Sequence, residues 1–404
     1  MGISVAMVGT GAFAQGFIPL FKAHPLVERI ALCDLDAEKL EDNKARHGIA
    51  ESFPSLDEVC ASDFDAAVII TQPWLHGPQA VQALRAGKHA WSAVPAGRTL
   101  DECRELVQAV EETGRIYMMA ETSYYYPAVI YCRRRHAEGA FGSIVYSECE
   151  YYHDWDHGLY EVARWRGGER WRWSAGAPPM YYPTHSTSQI MSVTGERMTR
   201  VSCQGFVDHH EDAVYQAANN EYGNTFSNEV ALFAMSDGSA CRVNEFRRIG
   251  HPGAVRLSLF GTEGSFEEAV GSQRFLGKSM DDALDVSDLL SCSTKPADAD
   301  RGEMGAVTSR DGTHLGSAPI HPVERLPREF APLPNGHSGA HQFLVDDFVR
   351  ACHDGTQPPN HVWNAAAYTV PGIVAHESAL RGGELLDIPD LGSRRPEDDG
   401  DGEG

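Results

Sequence analysis

A chain of 404 residues with 42% hydrophobic and 23% charged residues has the composition of a soluble globular protein and length for two domains, each with its own core. Its formal charge of −23 argues against nucleic acid or an anionic membrane surface as a partner. No apolar run reaches the roughly eighteen residues that cross a bilayer, and Ile3 to Val8 runs straight into a glycine-rich turn where a signal peptide would carry a basic start, so a cytoplasmic protein is expected.

Short apolar runs alternate with amphipathic stretches over the first 120 or so residues, the mark of βαβ units and a parallel sheet. Strands are predicted at Ile3 to Val8, Ile30 to Cys33, Ala66 to Thr71, His89 to Ser92 and Ile116 to Ala120. Helices are predicted at Phe13 to Ala23, Pro78 to Ala86 and Leu100 to Thr113. From about Ser143 the pattern changes to longer strands, at Ile144 to Tyr152, Arg200 to Phe206, Asn228 to Met235, Ser239 to Phe246 and Ala254 to Phe260. These form an open, mainly antiparallel sheet, with one helix running from near His185 toward Val193. Residues 277–336 are polar and weakly periodic, and are expected to form a lid, an oligomer arm or a mobile insertion. Helices return at His341 to His353 and Ala365 to Arg381, stopped by Gly382-Gly383. The expected architecture is α/β. A doubly wound parallel sheet occupies 1–122, an α/β domain with the large open sheet occupies 123–392, and 393–404 is an acidic disordered tail. The nine cysteines include no CxxC pair, so reduced thiols and no metal site are expected.

Gly9-Thr10-Gly11-Ala12-Phe13-Ala14 follows the first strand and opens the first helix, the GxGxxA form of the dinucleotide fingerprint. Gly9 permits the tight turn, Gly11 lets the backbone approach a pyrophosphate, and Ala14 keeps helix and strand close. The helix N-terminus adds free N–H groups and a positive dipole end. Asp34 ends the second strand, where a carboxylate accepts from the adenosine ribose hydroxyls and repels the extra phosphate of NADP. The expected cofactor is NAD, bound in a Rossmann domain.

Thr71-Gln-Pro-Trp-Leu-His76, followed by Ala86-Gly87-Lys88-His89, resembles the Gfo/Idh/MocA oxidoreductases, as do Phe343 to Asp354 and the closing Ser378 to Gly383. The resemblance spans nearly the whole chain. It implies oxidation of sugars, inositols or related polyols, with Thr71, His76, Val94 and Pro95 beside the cofactor, and a homo-oligomer paired through the outer face of the open sheet. Two departures matter. Where ordinary members carry Glu-Lys-Pro, whose lysine reaches the substrate hydroxyl, this chain has Ala93-Val94-Pro95. Where they place an aspartate four residues before a histidine, it has Tyr181 before His185.

One branch shares the altered pattern. Val94-Pro95-Ala96, Tyr182-Pro-Thr-His185, Met118-Met-Ala-Glu121, and Ser147-Glu148 followed by His153-Asp154 are similar to the NAD-dependent α-N-acetylgalactosaminidases. That likeness implies glycoside cleavage without net redox change: NAD oxidises the C3 hydroxyl, the acidified C2 proton is lost, the aglycone is eliminated, and water addition and re-reduction follow. The N-acetylgalactosamine specificity is not carried over.

His185 titrates near neutrality and Tyr182 can relay a proton, so the two are the expected catalytic pair. Tyr181 is either a second proton carrier or a packing residue. Glu148 is an acid or sugar ligand, or part of a solvated strand face. Glu121 positions the nicotinamide or its ribose, or caps a turn. His153 belongs to a His-Asp-Trp-Asp-His stretch that matches no standard metal spacing and is read as a substrate ligand. Arg164, Trp165, Arg166 and Trp171 lie in a basic, tryptophan-rich stretch. That composition suits stacking on a sugar and binding an anionic group such as a carboxylate, or else a subunit interface. Arg133 to Arg135 is read as the solvated face of a helix. Besides the redox glycosidase, the sequence leaves open a plain NAD-dependent sugar or polyol dehydrogenase and a non-catalytic NAD-binding sensor.

Overall fold

The computed structural model describes residues 2–292 and 314–392; the expected acidic tail at 393–404 and the middle of the 277–336 segment lie outside the described residues. Among the described residues six strands form the first sheet: β1 (Ile3–Val8), β2 (Val27–Cys33), β3 (Glu51–Phe53), β4 (Ala66–Ile69), β5 (His89–Ser92) and β6 (Tyr117–Met119). They run parallel in the order β3-β2-β1-β4-β5-β6, so the strand order reverses between β1 and β4, where a ligand crevice opens. β1 and β4 are buried along their whole length, as central parallel strands are when helices cover both faces.

The single helix expected at Phe13 to Ala23 is two pieces. A 3-10 turn at Phe13–Gly16 precedes a short α-helix at Ile18–Ala23, because Pro19 has no N–H with which to continue the ladder. The helix Ala37–His47 was not expected. Asp36 caps it by accepting the Lys39 N–H at 3.1 Å, and Gly48, at φ +59°, ends it.

The second sheet contains β7 (Ile144–Tyr152), β8 (Met198–Val207), β9 (Phe226–Met235), β10 (Ala240–Phe246), β11 (Ala254–Gly261), β12 (Ser265–Ala269), β13 (Ser272–Leu276), β14 (Leu284–Asp285) and β15 (Leu386–Asp387). Its order is β14-β13-β12-β11-β7-β10-β9-β8-β15, with β7 and β10 parallel and the other described neighbours antiparallel. Helices Thr184–Thr194 and Val362–Leu380 pack on one face. On β7 the two-residue period sends Ser147, Cys149 and Tyr151 toward the helices and Tyr146, Glu148 and Glu150 to the other face. In the helix Pro127–Ala137, Arg134 is solvated as expected, but Arg133 is not. Its guanidinium donates to the carbonyls of Tyr124 and Ser192 and stacks on the Tyr124 ring at 3.8 Å. No helix among the described residues is long and apolar enough to cross a membrane.

A small separate core joins two excursions from the second sheet. Trp155, Trp171, Val214 and Tyr215 bury one another, with Leu159, Tyr160, Ala163 and Ala175 packed around them. Arg248 fastens this flap, donating to Asp208 at 3.1 Å, to Tyr160 at 2.9 Å and to Asp212. The flap carries the whole tryptophan- and arginine-rich stretch.

In its described parts the polar 277–336 segment packs against the rest of the chain. β14 extends the sheet edge, and residues 314–336 form a strap that buries Ala318, Ile320, Leu326 and Phe330. Arg325 forks between Asp346 and Asp347, each at 2.9 Å, on the helix His341–Asp354. That helix in turn packs on the first domain, with Phe21 against Phe348 and His24 bonded to Asp346 at 3.2 Å. The polar composition hid the strap because its apolar residues are few and follow no period. Phe330→Ala should therefore cost about 3–5 kcal/mol of unfolding free energy in urea titrations, the usual loss for a buried phenylalanine. A loss below about 1 kcal/mol would show that the strap contributes nothing to the core.

Candidate functional site

The first glycine turn has the geometry a dinucleotide needs. Gly9 sits at φ +89°, and a Cβ there would lie 2.4 Å from the Ile70 carbonyl oxygen, so only glycine fits. Ala14 is fully buried where the turn meets the sheet, and Phe13 packs edge-on against Phe17 at 5.0 Å. A cavity of about 330 Å³ opens over the turn, walled by Thr10, Gly11, Ala12, Lys39, Arg46 and Trp165. Asp34 borders it. Its carboxylate accepts from the Thr10 N–H at 2.9 Å, the Thr10 hydroxyl at 2.8 Å and the Lys39 ammonium at 2.7 Å. Burial works to raise this carboxyl, but Lys39, Thr10 and the Asp36 N–H outweigh it and hold it below its ordinary range. Asp34 is thus a fixed carboxylate with lone pairs left for a ribose hydroxyl, and Lys39 offsets part of its charge.

Thr71 and His76 line the end of β4. Thr71 Cγ2 lies 3.2 Å from the Cβ position of Gly9, and its hydroxyl donates to Gln79 at 2.6 Å. His76 is buried between two carbonyls, with Nδ1 3.1 Å from Pro95 O and Nε2 3.3 Å from Thr71 O. Burial lowers it to about 4, so it is neutral and ties the β4 end to the Val94–Pro95 loop, whose peptide is cis. Val94, also buried, carries no ionisable group where the resemblance puts a lysine.

In the second domain Pro183 precedes the helix Thr184–Thr194, so His185 lies inside its first turn and does not cap it. Its Nδ1–H donates to Glu121 Oε1 at 2.7 Å. Glu121 is fully buried just after β6, where it also accepts the Ser123 N–H at 2.9 Å. Burial disfavours the charged imidazole, but the Glu121 carboxylate outweighs it and holds His185 above its ordinary 6.5. Glu121 moves the other way: burial would raise it, while the His185 charge and the bonds from His185 and Ser123 hold it low. With Nδ1 committed, Nε2 is the ring atom left to exchange a proton.

Tyr182 and Tyr151 approach this imidazole edge-on, with centroids at 5.4 and 5.3 Å. Tyr151 also bonds Nδ1 of His153 at 2.6 Å. Burial and the Glu121 charge push Tyr182 up to about 12 against the pull of Arg166 and Arg247, so it stays a phenol. Beneath them lies a charged layer that the sequence reading missed. Arg247 stands 4.8 Å over the Tyr151 ring and bonds Glu245 at 3.2 Å, and Glu245 accepts from Ser186 at 2.5 Å. Burial raises Glu245 to about 7, although Arg247 and Ser186 oppose it. A signal was available: Glu245 and Arg247 break the apolar alternation of Cys241 and Val243, which marks ionisable groups on a core-facing side.

Other expected site residues lie elsewhere. Tyr181 faces away from His185, against His376 at 5.1 Å and Tyr222 at 6.1 Å, as a packing residue. Glu148 is on the opposite sheet face, bonded to Tyr146 and Arg242, because Tyr151 and not Glu148 has the register that meets the helix. Trp171 is spent on the flap core, with Arg164 stacked near it at 5.5 Å. Trp165 lies over the cofactor turn, its ring 3.5 Å from the Cβ position of Gly11 and 6.0 Å from the Lys39 ammonium. Arg166, one residue on, is exposed, and its charge reaches both His76 and Tyr182. The flap thus spans from the dinucleotide turn to the tyrosines.

Fold and site together are those of an NAD-binding oxidoreductase. The description "Oxidoreductase family, NAD-binding Rossmann fold" matches residues 3–121, and "GFO/IDH/MocA C-terminal domain" matches 129–267. The chain belongs to the Gfo/Idh/MocA family. A glycosyl hydrolase family 109 protein of Saccharopolyspora erythraea is 24% identical over 414 residues, covering 96% of this chain and 83% of that protein. Another, from Solibacter usitatus, is 26% identical over 428 residues, covering 96% and 88%. Levoglucosan dehydrogenase in complex with NADH and levoglucosan has the same fold, with a TM-score of 0.73 at 19% identity over 96% of this chain and 100% of that one. So does scyllo-inositol dehydrogenase from Lactobacillus casei, with a TM-score of 0.65 at 16% identity over 96% and 98%.

The paired shifts make a direct prediction. Followed by NMR of the imidazole, His185 should titrate above 6.5 in the parent chain. In Glu121→Gln, where burial loses its main opponent, the midpoint should fall below 6.5. An unchanged midpoint would show that Glu121 does not set the charge of His185.

Proposed function

We propose that this enzyme takes a hydride from a secondary, C3-like hydroxyl of a sugar or glycoside and returns it after a glycosidic bond has been cleaved. The observation that carries the reading is the Glu121–His185 pair, with Nδ1 held at 2.7 Å and two tyrosines against the ring, in a chain with Val94 at the lysine position. Bound NAD supplies the hydride acceptor and, later, the donor. The cradle fits it: the left-handed Gly9, the cavity over Gly11 and the fixed Asp34 carboxylate suit a pyrophosphate and a ribose.

His185 Nε2 takes the hydroxyl proton as the hydride leaves the same carbon, giving a ketone. The ketone acidifies the neighbouring C2–H. Loss of that proton and departure of the aglycone oxygen, which leaves protonated, give an α,β-unsaturated ketone. Water then adds, its oxygen to C1 and a proton to C2, and return of the hydride and hydroxyl proton restores the sugar. The sum is glycoside plus water to sugar plus alcohol. His185 is the group that takes protons near neutrality, whereas Tyr182, held as a phenol, donates and relays them. Arg166, whose charge reaches Tyr182, is the group offered to an anionic sugar, and the likeness to glycosyl hydrolase family 109 proteins supports the cleavage step.

The test uses aryl glycosides, neutral and uronate, with substoichiometric NAD in D₂O. The expected result is aglycone release without NADH accumulation and deuterium at C2 of the sugar, with His185→Ala slower by about 10²–10⁴-fold. Steady NADH formation from free sugars with no aglycone release would replace this reading with a plain dehydrogenase. NAD binding with neither turnover nor C2 exchange would leave a sensor.

A further inference from the structure

His337 and Ser338 are two consecutive non-glycine residues in the left-handed region, at φ +47° and +52°, followed by Gly339 at +88°. L side chains are uncommon there, and such backbone strain persists where the surroundings hold it, often beside a ligand. Here they do hold it. The Ala340 N–H reaches back to the Gly336 carbonyl at 3.1 Å. A Cβ on Gly339 would lie 2.9 Å from the His321 ring, and one on Gly336 would lie 2.6 Å from the His341 ring. Strap and helix thus pin both ends of the turn, while His337 and Ser338 stay exposed.

Phe13, which opens the 3-10 turn of the dinucleotide fingerprint, has its ring 5.4 Å from His337 and 5.8 Å from His341. Gly16, one turn on, leaves 3.1 Å between a Cβ and His341 Nδ1. The His337 ring stacks on His341 at 4.9 Å, with its Nδ1 2.8 Å from His341 Nε2. The turn also packs against Thr122–Tyr125, the segment that follows Glu121. It therefore touches both the fingerprint turn, through Phe13, and the segment that follows Glu121. In a Rossmann domain the pyrophosphate lies at the glycine turn and the chain of the cofactor runs on toward the reacting carbon.

We propose that Gly336–Gly339 is a second dinucleotide clamp, in which the His337 imidazole and the Ser338 hydroxyl hold the pyrophosphate and the adjoining nicotinamide-side ribose. The clamp depends on dinucleotide binding alone and is independent of the glycoside chemistry proposed above. Buried His341, kept neutral by its burial and by His337, acts as the platform that orients the His337 ring.

The test removes the side chain without adding strain. The full chain, stripped of dinucleotide, is titrated by calorimetry with NAD, ADP-ribose and AMP. His337→Gly, which suits a left-handed φ, should weaken NAD and ADP-ribose by about tenfold or more, as loss of a hydrogen bond to a charged group does. AMP, which lacks the pyrophosphate and second ribose, should bind within about twofold of the parent. His337→Asn, which tolerates the same backbone and keeps a donor, should recover part of the NAD affinity. Parent-like affinity of His337→Gly for NAD and ADP-ribose would overturn the clamp. So would an equal loss for all three ligands, or a melting temperature more than about 5 °C below the parent, since either would mark a general loosening.

Discussion

Glu121 is a carboxylate with no exposure to solvent, and it remains one because His185 stands 2.7 Å away, helped by the Ser123 N–H at 2.9 Å. An unpaired buried charge costs several kcal/mol, so the two residues cannot part without one of them neutralising. Glu121 follows the last strand of the parallel sheet, and His185 begins a helix on the other sheet. One ion pair therefore joins the two domains at the site, alongside the packing of helix His341–Asp354 on the first domain. Asn360 secures the same point by donating to the Glu121 carbonyl at 3.2 Å.

The same logic repeats behind the site. Glu229 on β9 and Glu245 on β10 are direct cross-strand partners, and both are fully buried. Each has its own counter-group, His376 at 2.7 Å for Glu229 and Arg247 at 3.2 Å for Glu245. Glu229 also accepts the Met180 N–H at 2.8 Å, which holds the turn leading into Tyr182 and His185. Gly372 lets that turn approach, since a Cβ there would lie 2.1 Å from the Met180 carbonyl oxygen. Buried polar layers of this kind are a poor source of stability, but each bond in them has a direction, and direction is what a proton-transfer site needs.

Much of this was legible in the residues. The parallel sheet announced itself through alternating apolar runs, and the glycine turn through its position after β1. His185, Tyr182 and Glu121 were named for different reasons and lie together. Where the reading failed, the cause was local. β7 reads Ile-Val-Tyr-Ser-Glu-Cys-Glu-Tyr-Tyr; its period of two puts both glutamates on one face and Ser147, Cys149 and Tyr151 on the other, a cue that the reading of Glu148 as a site residue passed over. The tryptophan-rich stretch looked like one surface, yet Trp171 builds a core and Trp165 covers the cofactor turn, a division that only the helical geometry between them decides. β3 and the helix Leu56–Ala61 were too short to show a period. The strap was hidden by its composition, and Arg247 by the rule that arginine belongs outside.

The flap has its own small core, separate from the one that unites the two sheets. A unit that buries Trp155 and Trp171 within itself would swing out whole without exposing the main interior to water. Opening it would break the Arg248 fastening and lift Trp165 from the glycine turn, at far less cost than global unfolding. Such an opening would uncover the groove with both sheets intact and give a bulky dinucleotide a way in and out.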